Sequence, residues 1–396
     1  MPPLMLSSMM GDLKALGLNE FKAKFHIMVQ NKIFTWESAL SELMNIALQS
    51  QGPDVSQIGT TWLGSLTGMI ALRLFRESEV ELFGGKQAFL TSAWEGTTLL
   101  GVDDIYAIPW ITDVHLLAFR RDLLENARID EETAFENAES FEGTLARLQS
   151  SGVHMPLAMS TVDDVLYNLV SWVWGAGGTF RTENHRHLTL TDPKTITGIR
   201  QYFQLHQYLA PGSRGLGMSQ ATDLFVQGKA AIALTTYAHL KNQVQQSSTP
   251  VNLETIALAP VPGVPFIGGS SLVIWLHSYQ EDSAVKLVQH LVSPEVQRNI
   301  FLNTGELPAR AELFATRPFT TDRFLQTVTH SLRIGRAFQS SRKWAVIEIR
   351  LNPALSVLWD ELFENPDFDI NRDITQRFAD VQKSIEQSLL RTHPLF

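Results

Sequence analysis

The sequence predicts an α/β fold made of two lobes, each a mostly parallel sheet flanked by helices, with a ligand cleft between them. Short apolar runs alternate with amphipathic segments over the first hundred residues, and this alternation indicates parallel strands joined by helices. A chain of 396 residues is longer than one compact core usually supports, so two domains are expected. Within residues 52–124, two apolar strands run into polar turns that carry a tryptophan. Because ligands of open α/β sheets bind beyond the carboxyl ends of strands, this stretch predicts two walls of a cleft.

The N-terminal third contains the alternation in its most regular form. Apolar residues at helical spacing predict helices, and short apolar runs bounded by Gly or Pro predict strands. The elements expected here are strands over 4–9, 28–34 and 55–58, helices over 12–25, 37–48, 63–71 and 90–94, and a second cleft-side strand within 106–124.

Capping residues mark several helices in the rest of the chain. Asp192 with Pro193 begins one helix and Ser293 with Pro294 begins another, while glycines over 175–178 end a third. The expected helices span 135–149, 165–174, 193–209, 282–291, 294–304, 344–362 and 374–390, and the expected strands span 155–159, 230–234, 256–262 and 272–276.

Composition excludes several classes of function. The net charge of −9 disfavours nucleic-acid binding, and the basic residues over 317–343 stand singly among apolar ones, as on a solvated surface. The chain contains no cysteine, so a disulfide, a thiolate metal site and a cysteine nucleophile are excluded. No apolar run reaches the roughly 18–20 residues of a membrane span. The first ten residues lack the features of a signal peptide, so an intracellular protein and a trimmed exported one both remain open.

Several short segments, in order along about 300 residues, resemble those of the family 1 extracellular solute-binding proteins of ABC sugar importers, which are related to maltose-binding protein. The segments are GPDV over 52–55, IPW over 108–110, RRDL over 120–123, WGAGG over 174–178, FVQGKAAI over 225–232, GGSS over 268–271, and LVSPEVQ over 291–297 with Gly305 and Pro308.

This resemblance implies a type II periplasmic-binding-protein fold in which the lobes close on the ligand by a hinge. Lobe one would comprise residues 1–112 and 263–312, and lobe two residues 113–262 and 313–396. The resemblance also implies a small-molecule ligand, in particular a saccharide, an ABC permease as partner, and a periplasmic or cell-surface location. A monomer without a cofactor, metal or nucleic-acid partner is expected.

Several candidate ligand contacts follow from the resemblance. Trp62, with Thr61 beside it, matches a position that offers an aromatic wall to a sugar ring, whose C–H faces pack on aromatic rings. Asp113 matches a carboxylate position, and a carboxylate accepts hydrogen bonds from two adjacent hydroxyl groups. Trp344 matches a late aromatic position, with core packing as its alternative.

The remaining candidates rest on their positions next to strand ends. Trp110 lies at the first crossover, and Trp36 follows a strand. Gly269 permits close approach of the backbone to a ligand, and Ser270 adds a hydroxyl group. Thr236 and Tyr237 end a further strand, where the family usually has another aromatic motif. Helix capping, hinge contacts and core packing are the structural alternatives for these residues.

Competing functions remain. The carboxylate pairs at 103–104 and 163–164 could serve a glycosidase, but no nucleotide, serine-hydrolase or zinc motif accompanies them, so an enzyme is not expected. The histidines at 185 and 187 flank a polar turn and are interpreted as surface residues. Two alternatives stay open within binding proteins: a ligand sensor without a signal peptide that regulates a signalling partner, and a binder of polyamines or other cationic solutes.

Overall fold

The computed structural model describes residues 3–11, 14–162, 164–181, 187–248, 251–339, 341 and 344–391. Within these ranges, strands and helices alternate as expected, and the strands form two separate sheets. We call the seven-stranded sheet and its helices lobe one, and the four-stranded sheet and its helices lobe two. Asp163 and residues 182–186, which include His185, lie outside the described residues.

The strands are short, as expected for segments that cross a core only once. They are β1 (Leu4–Ser8), β2 (Val29–Ile33), β3 (Val55–Gly59), β4 (Ile108–Val114), β5 (Leu116–Arg120), β6 (Leu157–Ala158), β7 (Ile232–Thr235), β8 (Ile256–Pro260), β9 (Phe266–Ile274), β10 (Leu307–Pro308) and β11 (Arg336–Ala337).

The helices cover the faces of the two sheets. They are α1 (Leu18–Phe25), α2 (Trp36–Gln49), α3 (Leu63–Gly68), α4 (Glu77–Leu82), α5 (Thr91–Gly96), α6 (Arg121–Asn126), α7 (Ala138–Ser150), α8 (Val165–Gly175), α9 (Pro193–Gln204), α10 (Met218–Val226), α11 (Tyr237–Gln246), α12 (Glu281–Leu291), α13 (Pro294–Thr304), α14 (Arg323–Ile334), α15 (Trp344–Glu364) and α16 (Ile370–Arg391).

Both sheets are mixed, which departs from the expectation of mostly parallel pairing. In lobe one the order is β10-β4-β9-β3-β1-β2, and β11 pairs with β9. Strands β1, β2 and β3 are parallel, as the helical crossovers between them require. Strand β9 returns from lobe two and runs antiparallel to β3 and β4. In lobe two the order is β6-β7-β5-β8, with β5 antiparallel to both neighbours.

Two of the connections between the lobes are short. His115 alone separates β4 from β5, and residues 261–265 connect β8 to β9. His115 donates its backbone N–H to Phe266 O at 3.1 Å, and the two rings lie 5.3 Å apart, so the links are in contact. The lobe boundaries at 112/113, 262/263 and 312/313 stay predictions.

Burial explains where the helices pack. The largest apolar cluster lies in lobe two, where the apolar helix α8 meets α9 and the C-terminal helices α15 and α16. Helix α15 also contacts α3 and the 3₁₀ turn over Thr60–Trp62 in lobe one. In the part of the chain that the structure describes, no helix has both the length and the apolar character of a membrane span.

Some elements differ from their predictions. The first helix begins at Leu18 rather than near residue 12, after a turn in which Gly17 has a φ of 60°. Helices α4, α6, α10, α11 and α14 were not predicted. The glycine segment at 268–271 lies inside β9 instead of preceding a strand.

Candidate ligand-binding cavity

A cavity of about 360 Å³ opens between the lobes, beyond the carboxyl end of β1. Its volume lies within the roughly 300–1,000 Å³ typical of small-molecule sites. Lobe one forms most of the wall, and helix α11 of lobe two closes the opposite side. The lining residues are Met9, Met10, Gly11, Trp36, Gln57, Ile111, Asp113, Asn242, Gln246, Gly269, Ser270, Asn303, Thr304 and Glu306.

Two carboxyl groups line this cavity and face each other. Strand β10 pairs with β4 so that Leu307 is opposite Thr112, which sets Glu306 beside Asp113. Burial, and after it the Glu306 carboxylate, raises the pKa of Asp113 to about 7. Burial also raises the pKa of Glu306 to about 7. Either carboxyl group can therefore donate or accept a hydrogen bond near neutral pH.

A hydrogen-bonded chain of amide and hydroxyl groups forms the floor. Gln57 on β3 donates from Nε2 to Ser270 Oγ at 2.8 Å. Its Oε1 accepts from the backbone N–H of Met9 at 2.8 Å. Because both ends of the Gln57 amide are engaged, the Ser270 hydroxyl is held in place and its proton is available to a ligand.

An aromatic pair forms one edge of the site. Trp36 lies in the first turn of α2, and its side chain is 48% exposed although it lines the cavity. The partly buried ring of Trp62 meets it edge to face, with ring centroids 5.5 Å apart and planes at 64°. Such pairs fix ring orientation, so Trp62 supports Trp36 as the aromatic surface of the cavity.

Gly269 allows β4 and β9 to approach at the cavity. Its φ is 131°, and a Cβ atom there would lie 2.2 Å from Ile111 O. The strand register shifts between Pro109 and Ile111 at the same level. Only glycine fits this contact, so the backbone conformation explains Gly269 without a ligand.

The structure brings together four of the residues proposed from sequence, namely Trp36, Asp113, Gly269 and Ser270, with Trp62 behind Trp36. It does not place Trp110 there. Trp110 is fully buried in the core of lobe one and donates Nε1–H to Leu291 O at 3.1 Å. Its side chain leaves the opposite face of β4 from Asp113, so the expected ligand contact is corrected to a packing role.

Trp344 is likewise a core residue. Its ring is fully buried in lobe two and lies 4.0 Å from the ring of Phe338. The alternative of core packing describes its position, and the expected ligand stacking is corrected.

The residues after β7 form the start of helix α11. Thr236 is the N-cap of that helix, with its Oγ1 2.9 Å from His239 Nδ1. Tyr237 stacks on Phe301 at 6.1 Å, and burial raises its pKa to about 12. Neither side chain lines this cavity, so their predicted ligand contacts stay a prediction.

Thr61 contributes to the contact between the lobes rather than to the cavity. It hydrogen-bonds with Tyr167 on α8, and the Tyr167 hydroxyl donates to Glu348 Oε1 at 2.6 Å. Tyr167 also stacks on Phe266 at 4.7 Å. This group joins lobe one to two helices of lobe two.

Sequence reasoning missed Gln57, Glu306 and the polar face of α11. Gln57 had a usable signal, because it is a polar residue inside an otherwise buried strand. Glu306 stands between Gly305 and Pro308, which the motif comparison used, but its meeting with Asp113 depends on strand pairing. Asn242 and Gln246 gave no signal, since exposed polar helix positions are common.

Comparison with known proteins defines the family. Residues 8–298 match the model of the family described as bacterial extracellular solute-binding protein. Diacetylchitobiose binding protein DasA of Streptomyces coelicolor is 20% identical over 364 residues, covering 88% of this chain and 81% of that protein.

Solved structures share the fold over nearly the whole chain. Maltose-bound MalE3 of T. maritima has a TM-score of 0.82 at 17% identity, covering 98% of this chain and 99% of that one. UgpB from Mycobacterium tuberculosis, in complex with glycerophosphocholine, has a TM-score of 0.80 at 16% identity, covering 99% of each chain. The two-lobed fold is confirmed, and with the match over 8–298 the chain belongs to the bacterial extracellular solute-binding proteins.

Proposed function

We propose that the protein reversibly captures a carbohydrate, either a sugar or a short oligosaccharide, in the cavity between its lobes. The lobes close on the ligand by a hinge motion, and the closed form delivers it to an ABC importer. The protein acts as a monomer at the cell surface or in the periplasm, binds without a cofactor, and performs no chemistry on its ligand.

The observation that carries the proposal is the pairing of an exposed indole with hydrogen-bonding groups in one cavity. Trp36 offers an aromatic face, and Asp113, Glu306 and Ser270 offer donors and acceptors. Sugar rings use both kinds of contact at once. The names of DasA and maltose-bound MalE3 support the same ligand class.

A second candidate ligand is a polyamine or other cationic solute. The carboxyl pair of Asp113 and Glu306 favours it, and UgpB shares the fold while binding glycerophosphocholine. A third reading, a sensor whose closure regulates a signalling partner, uses the same cavity. Stimulation of an importer's ATPase by the liganded protein would separate transport from sensing.

The ligand class is tested by thermal shift across sugars, polyols, amino acids and polyamines, followed by calorimetry on each stabilising compound. A bound ligand raises the melting temperature with its concentration. We expect stabilisation by at least one saccharide. Stabilisation by amino acids or polyamines alone would contradict carbohydrate capture.

Trp36→Ala tests whether this cavity is the site. Loss of a stacking indole is expected to weaken binding of the identified saccharide about five- to thirtyfold, or about 1–2 kcal/mol. Tyr279→Ala is the matched control, because that aromatic side chain is fully exposed and does not line the cavity. Equal affinities of both variants and the wild type would place the site elsewhere.

A further inference from the structure

The two cavity carboxyl groups lack a protein counter-charge. Glu306 and Asp113 are cross-strand neighbours, and like charges opposite each other on paired strands repel. No lysine, arginine or histidine is among the described residues that line the cavity. The side chain of Lys241 packs beside Gly305. Its ammonium group donates to the carbonyl oxygens of Phe301 and Leu302 at 3.3 and 2.9 Å rather than to the two carboxyl groups.

Asp113 also has an unused hydrogen-bond acceptor. Its Oδ1 is shielded from solvent and has no hydrogen-bond partner among the described residues. Oδ1 packs against Gly268, whose backbone N–H favours the charged carboxylate without a hydrogen bond of full geometry to this oxygen. Buried polar atoms without a partner are rare and unfavourable, so a donor brought by the ligand would complete the site.

The other cavity groups suit the same kind of donor. The exposed ring of Trp36 lines the cavity, and indole faces attract ammonium groups. On the opposite wall, Asn242 and Gln246 add neutral amide groups. Two carboxylates, an indole and neutral acceptors together match a primary ammonium group better than they match a hydroxyl group.

We propose that Asp113 and Glu306 form an ammonium subsite, and that the captured carbohydrate carries a free amino group. This inference rests on the proposed function, which gives a carbohydrate as the ligand, and adds that this carbohydrate carries a positively charged amino group. The ammonium group lies between the two carboxylates, and the rest of the sugar packs on Trp36 and hydrogen-bonds with Ser270.

Three β-1,4-linked disaccharides that differ only at C2 test this assignment. Chitobiose carries amino groups, diacetylchitobiose carries acetamides and cellobiose carries hydroxyl groups. Calorimetry at neutral pH and low salt is expected to show chitobiose binding at least about tenfold more tightly than cellobiose. Added salt should reduce this preference, because charge attraction is screened.

The isosteric variants Asp113→Asn and Glu306→Gln each remove one charge without emptying the cavity. Each should reduce chitobiose affinity about tenfold or more and reduce cellobiose affinity by a smaller factor, so that the preference for chitobiose over cellobiose falls. Asp104→Asn is the control, because this exposed carboxylate lies outside the cavity lining. A single cooperative melting transition in each variant shows that it is folded.

The outcomes separate this inference from the proposed function. Equal affinities for all three disaccharides, or equal losses for all three in the variants, overturn the ammonium subsite and leave carbohydrate capture standing. Spermidine binding that depends on both carboxylates, with no sugar bound, supports the subsite and overturns carbohydrate capture. No heat from chitobiose, glucosamine or spermidine overturns the subsite.

Discussion

The raised pKa values of Asp113 and Glu306 result from the burial of both side chains at the place where β10 pairs with β4. Burial is the main cause for both groups, and their meeting across β4 and β10 adds repulsion at Asp113. A proton, or a cation in the cavity, relieves this repulsion. The pair therefore links the protonation of the empty protein to its stability.

Stability is expected to fall as pH rises from about 4 to about 7. The folded state holds the protons of Asp113 and Glu306 up to about pH 7, whereas their ordinary pKa values are 3.8 and 4.5. Their stabilising effect is complete below about pH 4 and is lost as pH rises through 7, by roughly 1.4 kcal/mol per pH unit and group.

Urea unfolding of the wild type and Glu306→Gln at a series of pH values from 4 to 8 measures this effect. The variant should show a flatter dependence, while Asp104→Asn follows the wild type. Parallel curves for all three proteins would show that the carboxyl pair is solvated.

At single positions, the sequence indicated the chemical type of the cavity side chains better than it indicated which side chains are buried. Asp113 and Ser270 stand in the cavity wall, where a carboxylate and a hydroxyl group were expected. Trp110 and Trp344 have the same side chain as Trp36 but are fully buried, while Trp36 is half exposed. Which tryptophan meets solvent depends on packing between distant segments, and the sequence does not contain that information locally.

Among the elements, those with a local cap were predicted well. Asp192 and Ser293 accept backbone N–H groups at the starts of α9 and α13, as their sequence context indicated. Helix α14 was not predicted although Leu325, Val328 and Leu332 have helical spacing and are buried, because the basic residues of this segment indicated a solvated surface. The glycines of β9 were predicted to precede the strand rather than to belong to it, since glycine usually weakens a strand.

Gly269→Ala should destabilise the protein by about 3 kcal/mol or more, because its φ of 131° is strained for alanine and the new Cβ would meet Ile111 O. Gly143→Ala is the control. Gly143 lies in the exposed middle of α7 with free space around it, so alanine should stabilise the protein by about 0.5–1 kcal/mol. Denaturant unfolding measures both, and a neutral Gly269→Ala would contradict the tight strand contact.

For the molecule as a whole, the contact between the lobes is as important as the cavity. The contact group formed by Thr61, Tyr167 and Glu348 connects lobe one to α8 and α15. Burial raises the pKa of Glu348 and favours a protonated or hydrogen-bonded carboxyl group there. These hydrogen bonds stabilise the arrangement in which the lobes are in contact, and they are lost when the lobes separate.

Tyr167→Phe removes the hydroxyl group of this contact and is expected to weaken ligand binding about three- to tenfold, since one hydrogen bond contributes about 0.5–1.5 kcal/mol. Small-angle scattering should show a more open unliganded protein. Tyr208→Phe is the matched control, because its hydroxyl meets Glu142 within lobe two. Equal effects of the two variants would exclude a role in closure.

The contact of His115 with Phe266 has a mechanical consequence. Two of the connections between the lobes touch at one point, so a rotation of the lobes is expected to turn about it, and displacement grows with distance from that point. Even a small rotation that leaves the packing of these two rings intact displaces the outer surfaces of the lobes more than the regions near the rings. An importer or a signalling partner would therefore detect occupancy most sensitively at the tips of the lobes, on the microsecond-to-millisecond timescale of domain rotation.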